Sequence, residues 1–156
     1  MVRAYVGLGS NLGDREATLR ASVGRLGGLP HTEVLAVSTF RNTEPVGYVD
    51  QPRFLNGAVE LETSLSPRDL LGSLLELERA FGRDRSASPH QGPRTLDLDL
   101  LVYGNETIDE PGLEVPHPRL HERRFVLEPL AELDAALVVP GRGSVQALLA
   151  ELDSAQ

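Results

Sequence analysis

The sequence contains no cysteine and no lysine, and each absence excludes a kind of chemistry. Without cysteine the chain has no disulfide, no thiol nucleophile and no thiolate ligand for zinc. Without lysine it has no Schiff-base chemistry and no Walker A phosphate loop, in which a lysine reaches the nucleotide phosphates. All fifteen basic residues are therefore arginine.

Charge and hydropathy narrow the class of protein further. The formal net charge of −8 argues against a nucleic-acid partner, because binding to a phosphate backbone requires a basic surface. No apolar run approaches membrane-spanning length, and the glycine-broken segment 1–9 is too short for a signal peptide. We therefore expect a cytoplasmic protein without a membrane partner. A length of 156 residues predicts a single domain, 1–156.

Hydrophobic periodicity and turn residues predict a βαββαβ order with a helical extension. The predicted strands are 2–9, 33–41, 54–63 and 95–103, and the predicted helices are 14–26, 66–82, 125–133 and 144–152. The second helix has the clearest start, with Ser66 as N-cap, Pro67 at the first helical position and Asp69 in the first turn. The predicted fold class is α+β: a ferredoxin-like core with a mostly antiparallel sheet and a C-terminal helical extension. Long loops are expected at 42–53, 82–93 and 104–118.

Two carboxylates in the predicted fourth strand are the strongest chemical signal. Asp97 and Asp99 alternate with leucines, and because a strand has a period of two, both project from one face. Paired carboxylates suit Mg²⁺, with substrate phosphates completing its shell. The preceding loop carries Arg83 and Arg85 and ends at Arg94, which suggests a site for phosphate plus metal. An exposed edge strand beside a charged turn is the alternative.

Other residues leave two interpretations open. Glu78 lies inside the apolar arc of its helix, which indicates either a functional acid with a partner or a carboxylate reaching solvent at the margin of the stripe. Phe54 and Asn56 share the strand face opposite Leu55. A ring and an amide side by side suit a flat heterocycle, but an aromatic side chain lying under a loop is equally common.

Two motifs resemble a dinucleotide-binding loop and a zinc site, but we assign neither a dinucleotide nor zinc to them. Gly7-x-Gly9-x-x-x-Gly13 misses the dinucleotide-binding spacing, so we interpret its glycines as close backbone approach at a turn. His117 and His121 have zinc-like spacing, but the prolines around His117 argue against the helix that would present both rings. A cationic patch for polyphosphate, formed with Arg119, Arg123 and Arg124, is preferred to a zinc site, and a solvated loop is the remaining alternative.

Several separate strings, in order along the chain, resemble the 6-hydroxymethyl-7,8-dihydropterin pyrophosphokinase family. The strongest is Gly92-Pro93-Arg94-Thr95-Leu96-Asp97-Leu98-Asp99-Leu100-Leu101. The others are Gly9-Ser10-Asn11-Leu12, Thr43-Glu44-Pro45-Val46-Gly47, Asp50-Gln51-Pro52, Phe54-Leu55-Asn56, Val115-Pro116-His117 and Arg123-Arg124-Phe125. The resemblance implies a monomeric ferredoxin-like enzyme of folate biosynthesis that transfers pyrophosphate from ATP to the pterin hydroxymethyl oxygen and releases AMP.

The resemblance also implies a role for each matching residue. Asp97 and Asp99 would hold two Mg²⁺ ions that bridge the ATP phosphates. The expected ATP-binding residues are Leu71, Glu78, Arg83, Arg85, Arg94, Leu100, His117 and Arg123, of which the three loop arginines count as catalytic together with the two aspartates. The expected pterin-binding residues are Asn11, Thr43, Val46, Phe54, Asn56, Asp97 and Phe125. The loops 42–53 and 82–93 would close as lids that exclude water.

Four positions depart from the family pattern. Gln91 stands where a tryptophan is common, His90 where an arginine is common, Pro118 where an aromatic residue can follow the histidine, and Phe54 where tyrosine is frequent.

Two other functions compete with the enzyme. A non-catalytic binding domain on the same scaffold is disfavoured by the paired carboxylates, which pure binding does not need. An RNA-binding module would need aromatic strands and a basic face, and neither the opening strand nor the net charge of −8 provides them.

Overall fold

The computed structural model describes residues 1–43, 53–82 and 95–154. The strands in these residues are β1 (Val2–Ser10), β2 (Thr32–Val37), β3 (Arg41–Thr43), β4 (Phe54–Thr63), β5 (Asp97–Tyr103), β6 (Ile108–Glu110), β7 (Leu113–Val115), β8 (Val138–Val139) and β9 (Gly143–Ser144). The helices are α1 (Arg15–Gly27), α2 (Pro67–Ala80), α3 (Arg124–Asp134) and α4 (Val145–Ser154), with a 3₁₀ turn at Leu120–Glu122.

The central sheet has the strand order β2–β4–β1–β5, and β3 pairs with the first residues of β4. Every described pairing in it is antiparallel. The chain passes from β1 through α1 to β2, and from β4 through α2 to β5. This is the ferredoxin-like α+β topology that the sequence predicts.

One face of the sheet packs against α1 and α2. Its strand residues are apolar and alternate with residues of the other face, as in Val6 and Leu8 of β1 or Leu98 and Leu100 of β5. The helices contribute leucines, among them Leu19 of α1 and Leu74 of α2, and both are fully buried. This face is a continuous hydrophobic core.

The C-terminal extension covers part of the opposite face. Leu127 and Leu130 of α3, with Leu148 of α4, pack against Tyr5 and other residues of the central strands. A register shift in the β1–β5 pairing at Tyr5/Val6 turns both Leu101 and Val102 towards this second cluster. The cover stops short of the C-terminal end of β1 and of the ends of β4 and β5 that pair with it.

The helix starts follow from local side-chain chemistry. The Ser66 hydroxyl accepts a hydrogen bond from the Asp69 amide at 3.1 Å, with Pro67 in the first turn, as the sequence predicts. Asp14 caps α1 by accepting from the Ala17 amide at 3.1 Å. Each cap satisfies an amide that has no partner inside the helix.

Three predictions about local structure were wrong. The predicted strand 33–41 ends at Val37, and Arg41 begins a separate strand that extends into the predicted loop 42–53. The predicted loop 104–118 contains the β6–β7 hairpin. Gly7 and Gly9 lie inside β1 without positive φ; of the three glycines of that motif only Gly13 has the left-handed conformation of a turn.

Candidate active site

A row of residues crosses the open part of the sheet. Gly9 of β1 pairs with Asn56 of β4 on one side and with Asp97 of β5 on the other. The next row pairs Gly7 with Ala58 and with Asp99. Residues in register on neighbouring strands are close to one another, so the sheet brings an amide and two carboxylates together around the bare backbone of β1.

Phe54, Asn56 and Thr43 form the β4 side of this surface. Phe54 lies two residues before Asn56 on the same face and is only partly buried, whereas Asn56 is 9% exposed. Thr43 of β3 pairs with Phe54, and its hydroxyl donates a short hydrogen bond to Asn56 Oδ1. The bond fixes the orientation of the Asn56 carboxamide, so its Nδ2 atom faces β1.

Asp97 and Asp99 are half-buried and alternate with the buried side chains of Leu98 and Leu100. The prediction that both carboxylates share one face is therefore confirmed. Across residues 1–43, 53–82 and 95–154, three or more histidine and acidic side chains do not come together as a metal-binding cluster. Two hard oxygen donors nevertheless fit Mg²⁺, which usually takes one or two carboxylates and completes its shell with phosphate and water.

Glu78 lies on the helical side of β5 and is 2% exposed. Its Oε2 atom accepts a hydrogen bond of 2.8 Å from the Leu98 amide, which belongs to the residue between the two aspartates. β5 is the last strand on its side of the described sheet, so the carboxylate satisfies a backbone donor that no strand pairs with. The interpretation of Glu78 as an acid reaching solvent was wrong.

His117 and Arg123 lie on the C-terminal side of the surface. The His117 amide donates to the Leu101 carbonyl at 2.9 Å, which attaches this segment to β5. Burial and the nearby positive charge of Arg123 lower the pKa of His117 below its ordinary value, while the Asp97 carboxylate opposes the shift. The Arg123 guanidinium lies over the Phe125 ring, 5.6 Å from its centroid.

The arginines of the expected cationic patch are held differently from one another. Arg119 pairs with Glu122 at 3.2 Å on the surface. Arg124 pairs with Asp153 of α4 at 2.6 Å and therefore joins the two C-terminal helices. The positive charge of Arg123, and to a smaller extent that of Arg119, lowers the pKa of His117.

The other expected site residues are divided between this surface and the helical face. Asn11 is buried just after β1. Leu100 is buried in the core beneath α2, and Leu71 of α2 packs against the same cluster. Their ATP contacts stay predictions. Val46, Arg83, Arg85 and Arg94 lie outside the described residues, as do His90 and Gln91 and most of both expected lids.

One group near the site was missed from the sequence. Glu132 of α3 accepts hydrogen bonds from the Thr39 amide and hydroxyl, both at 2.8 Å, and from Arg41 Nη2 at 2.9 Å. These bonds lower the pKa of Glu132 against the opposing effect of burial. They attach α3 to the segment that leads into β3. The one signal in the sequence was the predicted strand 33–41, which was too long but included Thr39 and Arg41.

The fold and this surface together indicate a class of protein. An α+β sheet that presents two carboxylates beside an amide and an aromatic ring is suited to bind a flat heterocycle next to a metal-bound phosphate. No helix in the described ranges is long and apolar enough to cross a membrane. Together the two carboxylates, the amide and the aromatic ring indicate an enzyme that transfers a phosphate group to a ring-containing substrate.

Comparison with known proteins identifies the family. Residues 5–135 match 7,8-dihydro-6-hydroxymethylpterin-pyrophosphokinase (HPPK). The 2-amino-4-hydroxy-6-hydroxymethyldihydropteridine pyrophosphokinase of Bacillus subtilis (strain 168) is 50% identical over 130 residues, which cover 83% of this chain and 77% of the relative. The Pseudomonas aeruginosa enzyme of the same name is 44% identical over 148 residues, which cover 95% and 90%.

The chain belongs to the HPPK family. The expectation of an enzyme that transfers pyrophosphate to hydroxymethyldihydropterin in folate biosynthesis is therefore confirmed, and the non-catalytic and RNA-binding alternatives are set aside. A Plasmodium falciparum HPPK-DHPS crystal structure superposes with a TM-score of 0.76 and 12% identity, over 98% of this chain and 46% of the solved one. This chain thus spans about half of the solved chain, and that likeness shows the fold alone.

Proposed function

We propose that the surface around Gly9 is the active site for pyrophosphate transfer from ATP to the hydroxymethyl oxygen of 6-hydroxymethyl-7,8-dihydropterin. The observation that supports this most strongly is the row in which Asn56 and Asp97 flank Gly9 on neighbouring strands. A pterin held by the amide would have its reacting oxygen close to the phosphate held at the carboxylates. Such proximity is the main requirement of phosphoryl transfer.

The pterin half of the proposed site uses a ring and an oriented amide. Phe54 and Phe125 would stack on the two faces of the heterocycle. Asn56 Nδ2 would donate to an acceptor of the ring, because its carbonyl oxygen is already bonded by Thr43. Asn11 and the backbone of Thr43 and Val46 would complete the pocket.

In the nucleotide half, Asp97 and Asp99 would bind two Mg²⁺ ions. Bound magnesium would supply charge neutralisation and alignment of the triphosphate. Arg83, Arg85 and Arg94 would hold the phosphates by bidentate hydrogen bonds, which a guanidinium makes and a compact ammonium does not. His117 and Arg123 would contact ATP from the C-terminal side, and Leu71, Glu78 and Leu100 would support the nucleotide pocket from the helical side.

The reaction follows from these positions. The hydroxymethyl oxygen attacks the β-phosphorus, the bond from that phosphorus to the oxygen shared with the α-phosphorus breaks, and AMP leaves with that oxygen. The hydroxyl proton is released to solvent, so that ATP and the pterin alcohol give AMP, the pterin diphosphate and one proton. The arginines would stabilise the charge that develops on the phosphate oxygens, and closed loops 42–53 and 82–93 would keep out water, which competes as acceptor.

AMP formation tests the proposal. The assay combines ATP with 6-hydroxymethyl-7,8-dihydropterin, with Mg²⁺ in one arm and with EDTA in the other. We expect AMP only when pterin and metal are both present. AMP formed equally in EDTA would contradict the metal's role, and ATP hydrolysis without pterin would contradict exclusion of water.

The proposal has three further parts. Residues 1–156 form a single domain, the protein is a monomer, and it is located in the cytoplasm.

A further inference from the structure

Gly9 occupies a position where only space, and not backbone conformation, requires glycine. It lies inside β1 and its φ is not positive, so an alanine would fit its backbone. A Cβ at Gly9 would lie 3.0 Å from Asn56 Nδ2, 3.8 Å from Phe54 Cδ1 and 3.9 Å from Asp97 Cβ. The contact with Asn56 is closer than ordinary van der Waals contact, so the amide would have to move.

The Asn56 carboxamide has little freedom to move without cost. Its Oδ1 atom accepts a hydrogen bond from the Thr43 hydroxyl, and β3 holds Thr43 beside Phe54. Turning Nδ2 away from a new methyl group would bend or break that bond. The bare Cα of Gly9 therefore lets the amide keep one orientation.

We infer that Gly9 is a positioning residue for the pterin, acting through Asn56. The missing side chain at Gly9 allows Asn56 Nδ2 to be presented, in a fixed direction, to a hydrogen-bond acceptor at the edge of a flat ring. The ring acceptor is a carbonyl oxygen or an unprotonated ring nitrogen, since an amide nitrogen only donates. The inference rests on the proposed function, because it assigns the ring to Asn56.

Gly7 offers a matched control on the same strand and the same face. A Cβ at Gly7 would lie 3.4 Å from Leu101 Cδ1, with the Leu101 side chain supplying its three nearest neighbours. That is ordinary packing distance, and Leu101 belongs to the second hydrophobic cluster. Alanine at Gly7 therefore adds the same methyl group two residues away without touching Asn56.

The experiment measures steady-state constants at saturating Mg²⁺ and the second substrate. The variants are Gly9→Ala, Gly7→Ala, Asn56→Ala and the double variant Gly9→Ala/Asn56→Ala. We expect Gly9→Ala to raise the KM for 6-hydroxymethyl-7,8-dihydropterin about tenfold, the effect of losing one hydrogen bond. The KM for ATP should stay within twofold in Gly9→Ala, and Gly7→Ala should leave the KM for the pterin within twofold of the wild-type value. In the Asn56→Ala background, alanine at Gly9 should add no further loss.

The outcomes separate this inference from the proposed function. An unchanged pterin KM in Asn56→Ala would contradict the proposed pterin site itself. A raised KM in Asn56→Ala with a normal KM in Gly9→Ala would overturn only the role of Gly9. An equal rise in the KM for ATP, or an undiminished effect of Gly9→Ala when Asn56 is alanine, would also overturn it. If Gly9→Ala alone does not fold, the double variant should fold and match the KM of Asn56→Ala; a higher KM would count against the inference.

Discussion

The two faces of the central sheet are made by the same strands but have different cover. Under α1 and α2 the face is mainly apolar, with Glu78 as a buried acid, and its apolar residues form one hydrophobic cluster. On the other face α3 and α4 cover only part, and the remainder carries Asn56, Asp97 and Asp99 beside glycines. Because successive residues of a strand alternate between faces, one strand such as β5 can stabilise the fold and carry the chemistry without conflict.

The largest effect is expected from the carboxylates on the open face. Asp97→Asn and Asp99→Asn should each lower turnover at least about 100-fold, because loss of a ligand charge weakens metal-dependent stabilisation of the transition state. Thermal unfolding should change little, since two like charges on one strand face do not stabilise it. Turnover is measured as AMP formation, and unfolding by circular dichroism. A variant with wild-type turnover would remove that aspartate from the proposed mechanism.

Leu98, which lies between the two aspartates, should affect stability and not turnover when it is changed. Leu98 is buried in the core, so Leu98→Ala should lower the free energy of unfolding by about 3 kcal/mol. For a chain of this size the midpoint of thermal unfolding should fall by roughly 10 °C. The folded variant should keep most of its turnover at low temperature. A 100-fold loss of turnover there would show that the two faces are not separable at β5.

Glu78 tests whether the helical face supports the open one. Glu78→Leu would leave the buried Leu98 amide without this acceptor and should cost about 2 kcal/mol of stability. Turnover should fall as well, because that amide lies between Asp97 and Asp99. Glu78→Gln is the matched control, since its amide oxygen can still accept the bond. Equal losses in both variants, measured by denaturant unfolding and AMP formation, would show that the charge of Glu78 matters and the hydrogen bond does not.

The smallest effect is expected from His117, which lies between the part of the sheet covered by α3 and α4 and the open surface around Gly9. Its pKa in the folded chain is lowered, so the unfolded chain binds this proton first as pH falls. Stability should therefore decrease as pH falls from about 6.5 towards the folded pKa, and His117→Gln should remove this part of the decrease. NMR titration of the imidazole should give a midpoint below 6.5 and, in Asp97→Asn, a lower midpoint still. A midpoint above 6.5 would contradict the placement of the ring.

The sequence was sufficient for features set by local pattern. Alternation put Asp97 and Asp99 on one face, helical periodicity flagged Glu78, and side-chain chemistry marked Ser66 as a cap. It was insufficient where distant residues decide. Whether Glu78 reaches solvent or a backbone amide depends on the packing of α2 against β5. Gly9 was assigned to a turn because its requirement for space comes from Asn56 on another strand.

The bonds of Glu132 to Thr39 and Arg41 also link the completion of the binding surface to the docking of α3. The Thr39–Glu132 contact joins residues 93 positions apart, so a long stretch of chain must close before it forms. The strand pair β1–β5 has contacts of similar separation, such as Ala4 with Tyr103, and many such contacts together slow folding. Phe125 lies in α3 and Arg123 directly before it, so both reach the surface only when α3 is in place. If the ring substrate binds between Phe54 and Phe125 as proposed, its binding reports that α3 has docked on the sheet.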